Sequence, residues 1–137
     1  MQLPTMRENN PQALHSQLQA SFQDLVAWLP LQAARRQGRA VRVRTGQTKC
    51  PGTRVREYRN AIHTELLGHF DPRMFILVSG FGTRALATSL EQRAINMVEP
   101  AGLEAANSLP AANANWNGQQ FSAFCIYVMV DLGGAVE

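Results

Sequence analysis

Apolar residues recur in the first part of the chain at steps of three and four: Leu14, Leu18, Phe22, Leu25 and Leu29. This is the helical period, and it gathers them into one stripe. Asn10 can cap such a helix, and Pro11 suits its first position, where no N–H is required. The pattern predicts an amphipathic helix ending at Pro30, then a short polar stretch. Val41 and Val43 next alternate with Arg42 and Arg44, the two-residue period of a strand whose wet face is arginine.

Gly46 and Cys50-Pro51-Gly52 read as loop and turn. After them Val55, Tyr58, Ile62 and Leu66 fit a helix, while Arg54-Val55-Arg56 would also fit a strand; a helix from about Val55 to Leu67 is favoured, closed by Gly68 and Asp71-Pro72. Met74 to Val78 is continuously apolar, as expected of a central strand covered on both faces, and Gly80-Phe81-Gly82 should break it. Thr88 and Glu91 have capping-box spacing ahead of Leu90, Ala94, Met97 and Val98, a helix stopped by Pro100. A short helical turn is expected from Leu103 to Leu109. Pro110 and the run up to Trp116-Asn117-Gly118 read as loop.

The last element, Phe121 to Leu132, sets Phe124, Ile126, Val128, Val130 and Leu132 on one face and Phe121, Ala123, Cys125, Tyr127 and Met129 on the other. Neither face is polar. Both need cover, from helices or from a second copy, because an exposed apolar strand aggregates. Phe124, Ile126, Val128 and Val130 are therefore candidate oligomer-interface residues. Together the elements predict an α+β fold, a small mixed or antiparallel sheet packed against two or three helices. The 137 residues suit a single domain, 1–137, with a basic strand and loop segment at 35–59.

Composition adds a hint of partners. Hydrophobic residues make up 45% and charged residues 17%, low in charge for a domain whose whole surface meets water. No apolar run approaches the roughly 20 residues that span a bilayer, and the start Met-Gln-Leu-Pro-Thr-Met lacks signal-peptide order, so no membrane contact is expected. The expected location is cytoplasmic, or a virion if the chain is viral. Charge is unevenly spread. Arg35, Arg36, Arg39, Arg42, Arg44, Lys49, Arg54, Arg56 and Arg59 share one stretch whose single acid is Glu57. Nine bases against one acid make it +8, so the remainder of a +3 chain carries −5. Guanidinium groups suit phosphate, which makes these nine residues candidates for contact with nucleic acid or an acidic protein; a solvated basic face is the plain alternative. Any nucleic-acid contact would be to backbone phosphates, since Tyr58 is the only aromatic residue among the bases and no zinc-finger spacing is present.

Catalytic chemistry has little to build on. Cys50 lies among bases that could lower its pKa, and His63 or His69 could serve as its base, but no local signature joins them. His15, His63, His69 and the two cysteines lack the paired short spacing of a metal site. Gly80-Phe81-Gly82-Thr83 follows a strand yet lacks the Lys-Ser/Thr of a phosphate loop. Cys50 and Cys125 have neither the number nor the spacing of a disulfide framework. No catalytic, cofactor or metal site is expected.

An amphipathic N-terminal helix, strands, a helix after the apolar run and the closing strand Phe121-Ser122-Ala123-Phe124-Cys125-Ile126-Tyr127-Val128-Met129-Val130 form a layout that resembles the tail-terminator and head–tail completion (neck) proteins of tailed bacteriophages. The resemblance implies a structural protein acting as a ring between virion parts. The expectation is thus a non-enzymatic homo-oligomer within a larger assembly, with non-specific nucleic-acid binding through 35–59 as the alternative.

Overall fold

A computed structural model of the chain describes residues 9–53, 56, 72–110, 116 and 120–132. Helix α1, Pro11–Ala27, starts as its sequence predicts: Asn10 caps it, its side chain accepting from the Gln12 N–H at 2.9 Å. Leu14, Leu18, Phe22 and Leu25 are its buried stripe. Leu29 is not part of it. The helix ends at Ala27, Trp28 is extended, and a second helix, α2, Leu29–Arg36, begins with Pro30 in its first turn. A proline has no N–H to continue an existing helix but fits the start of a new one. Leu29 is left 71% exposed, and the expected polar stretch is helical, burying Leu31 and Ala34.

Strand β1 is Arg42–Thr48, strand β2 Pro72–Thr83, and strand β4 Phe121–Asp131. A two-residue strand, β3, Glu104–Ala105, completes a mixed sheet of order β2-β4-β1-β3. The fold is α+β. β4 pairs antiparallel with both β1 and β2, so among the described residues the last strand in sequence is interior, and Met74–Val78 lies on an edge strand instead of a central one. The glycines do not break β2: Gly80 and Gly82 pair with Phe124 and Ser122, and the irregularity is a bulge at Leu77.

Helix α3, Arg84–Val98, is capped by Thr83, whose hydroxyl accepts from the Leu86 N–H at 3.1 Å. Thr88 and Glu91 therefore fall inside the helix and are not its capping box. A 3-10 turn, Glu99–Ala101, and Gly102 at φ +83° then reverse the chain. The helical turn expected over Leu103–Leu109 is replaced by β3, because this reversal lays the chain parallel to β1: the Glu104 N–H donates to the Val41 carbonyl and the Ala106 N–H to that of Val43, both at 2.9 Å. Asn107 extends the ladder with its side-chain amide, accepting from the Thr45 N–H at 3.0 Å and donating to the Thr45 carbonyl at 2.9 Å. Apart from Arg56, which is helical, the helix expected over 55–67 and its closure at Gly68 and Asp71 lie outside the described residues, as does most of the run before Trp116; residues 51–53, expected as a turn, are helical.

The core lies between α1, α2 and α3 and one face of the sheet, where Val43, Val78, Phe124, Ile126, Val128 and Val130 are buried. On the other face Tyr127 and Met129 are buried beside Met74 and Ala106. The Tyr127 ring crosses onto its β1 neighbour Gly46, where a Cβ would fall on the phenol, so only glycine fits.

Candidate assembly surface and basic face

Burial alone places Phe124, Ile126, Val128 and Val130. All four are 3% exposed or less within one chain, packed under the helices. They are core and not an interface between copies: β4 took the middle of the sheet, and its second face is also buried at Tyr127 and Met129. No second copy is needed to cover the helix-side face; toward the start of the strand the other face leaves Phe121 42% exposed.

The basic residues are spread around β1 instead of sharing one face. Arg35 and Arg36 end α2, where cations complement the helix dipole, and with Arg39 they are exposed. Arg35 reaches across the left-handed Gly102, where any Cβ would meet its guanidinium. Arg42 and Arg44 share the sheet face away from the helices, as their alternation with Val41 and Val43 predicts, but acids join them. Arg42 Nε donates to Glu104 Oε1 at 3.1 Å, and its other strand neighbour is Asp131, which is fully buried. Arg39 lines one depression with Glu99 and Glu104. Lys49 lies 5.4 Å over the Trp116 ring, and Arg56 is exposed. Arg54 and Arg59 lie outside the described residues. The +8 of the sequence is thus partly offset in space by acids from a distant stretch.

A buried polar cluster sits at the far end of β1. Gln47 Nε2 donates to Glu91 Oε1 at 2.8 Å and to Thr88 Oγ1 at 3.2 Å, and the Trp116 indole N–H donates to Gln47 Oε1 at 3.1 Å. Gln47 thereby satisfies both donors of its amide and an acceptor position. The arrangement fixes β1, α3 and Trp116 to one another. It brings together residues that the sequence reading used differently, Glu91 as a cap and Trp116 as loop, and missed Gln47 altogether. They are too far apart in sequence for any local spacing to join them.

Of the candidates for chemistry, Cys50 is exposed and Cys125 half-buried, both free thiols, and Cys125 Sγ is 3.5 Å from Ser79 Oγ. His15 Nδ1 accepts from Arg93 Nη1 at 2.8 Å, since a guanidinium only donates. His63 and His69 lie outside the described residues. Among the described residues no group of three or more His, Cys, Asp and Glu could hold a metal ion, and no helix is long and apolar enough to cross a membrane.

Apolar surface also stays open among the described residues. An apolar groove of about 500 Å³ between α1, α2 and the end of α3 is lined by Phe22, Val26, Met97, Pro100 and Ala101. Another is the outer edge of β2, which has no strand partner among the described residues and shows Ile76 at 41% exposure. Comparison with protein-family models, with curated proteins and with solved structures finds no match. Among the described residues β2 is the least protected element: a long edge strand, apolar over much of its length, beside a cleft of about 220 Å³ lined by Ser21, Asp24, Leu25, Trp28 and Phe75.

Proposed function

We propose that this chain is a non-enzymatic structural protein that self-associates within a larger assembly. The carrying observation is the β2 edge. Edge strands are ordinarily blunted because unpaired N–H and C=O groups recruit another strand, yet β2 presents exposed Ile76 and half-buried Met74 and Phe75 there. The expected layout resemblance to phage tail-terminator and neck proteins, which work as rings joining virion parts, points the same way. Native mass over a wide range of concentration tests the reading. A homo-oligomer is expected; a chain that stays monomeric when concentrated removes it.

Exposure of Arg35, Arg36 and Arg39 in succession favours a second reading, non-specific phosphate binding. Titration against duplex DNA at two salt concentrations decides it, because each neutralised phosphate makes binding fall with salt. No binding at low salt ends this reading.

A further inference from the structure

We infer that two copies of this chain join through the β2 edges, antiparallel about a two-fold axis at Phe75, with Met74 of each copy opposite Ile76 of the other. The inference rests on the self-association proposed above and gives it a surface and a register.

The register follows from which backbone groups face outward. In an antiparallel ladder, residues alternate between bonding the neighbour strand and pointing away from it. Phe81 points away from β4, because its N–H donates to Asn9 Oδ1 and its carbonyl accepts from the Asn9 N–H. Counting back along the β2–β4 pairing through the bulge at Leu77, Ser79, Ile76, Met74 and Pro72 also point outward. Asn9 occupies Phe81, Pro72 has no N–H to offer, and the bulge interrupts the row between Ile76 and Ser79. Met74 and Ile76 are left as the short run able to pair.

Only one two-fold register lets both of them exchange a full pair of hydrogen bonds with their partners. Placing Met74 against its own copy would set Ile76 against Pro72, which cannot donate. Placing Ile76 against its own copy would set Met74 against Val78, whose backbone faces β4. With the axis at Phe75, each Met74–Ile76 pair exchanges both of its hydrogen bonds, and the two apolar side chains meet on the face away from the helices.

Charge is complementary in this register. Arg73 comes opposite Leu77 of the other copy. Its side chain lies on the helix-covered face, since its β4 neighbour Val130 is in the core beneath the helices. Exposed Asp24 of α1 lines the cleft beside Phe75, Ile76 and Leu77 on that same face. Each Arg73 therefore approaches the Asp24 of the opposite copy, and the two-fold axis repeats the pair. Such a contact is isologous and closes at two copies, so a ring would be built of these pairs through a further surface.

The test is a charge-exchange series read by native mass: wild type, Asp24→Arg, Arg73→Asp, and the two combined, with thermal melting to confirm folding. Wild type should run as pairs or an even-numbered assembly of pairs. Each single variant should dissociate, with at least a tenfold weaker association and a melt that stays cooperative, and the combination should restore pairing. Ile76→Pro, which removes an outward N–H that β4 does not use, should dissociate the pairs as well while keeping a cooperative melt. If wild type self-associates but the single variants and Ile76→Pro leave it intact, or if the assembly is odd-numbered, this edge is not the contact while self-association stands. A wild type that is monomeric throughout overturns both.

Discussion

Single atoms decide much of this fold, and Gly46 is the sharpest case. Its missing Cβ is the space the Tyr127 ring occupies, so Gly46→Ala should cost about 1–3 kcal/mol through overpacking, read as a lower urea midpoint at constant slope. Gln47 is the polar counterpart. Gln47→Leu keeps the volume but leaves the buried Glu91 carboxylate and the Trp116 indole N–H short of a partner, a loss of about 3 kcal/mol, visible in urea unfolding and in the tryptophan near-ultraviolet signal. Neither role was legible beforehand. Gly46 reads as a turn residue because glycine is common in turns, and the Gln47 cluster joins residues from three separate stretches. The Leu14–Leu25 stripe was legible because its period is local.

The helices show how a correct element can carry a wrong boundary. Thr88 and Glu91 match a capping box, yet the same three-residue spacing puts both on one helix face, where they meet Gln47. Thr83 is the cap, so Thr83→Ala should destabilise the protein by about 1 kcal/mol in thermal or urea unfolding. The first helix lost Leu29 for a related reason: the stripe continues in sequence across a break that Trp28 and Pro30 impose. β3 could not be foreseen from two residues, since what makes it a strand is the Gly102 reversal and the free side of β1. For the closing strand, alternation gave the faces, and of the two covers it allowed, helices and not a second copy lie over Phe124, Ile126, Val128 and Val130. Val128→Asp should abolish soluble folded protein, because an unpaired charge at a fully buried position costs several kcal/mol against a total of about 5–15. Recovery of soluble protein that melts like wild type would contradict the burial.

Over the whole molecule, sequence blocks of charge do not survive as surface patches. The stretch 35–59 looked like a uniform basic face, but folding sets Glu104 and Asp131 in register on either side of Arg42. Reversing Arg42 to Glu should therefore cost about 1–2 kcal/mol in urea unfolding through like-charge contact, where a freely solvated arginine would cost under about 0.5. The α+β class and single-domain size were readable because periodicity is local and composition is global. The sheet order was not, since pairing is decided between segments. That order has a consequence in time. β1 and β2 do not pair with each other, and both pair with β4, the last strand in sequence among the described residues. On the ribosome the sheet cannot close until residues up to 131 have emerged, leaving apolar β2 without a strand partner among the described residues until then, the situation in which nascent chains depend on chaperones. A stalled chain ending before Phe121 should be cleaved readily by protease, and one extended past Asp131 by a linker long enough to clear the exit tunnel should resist it.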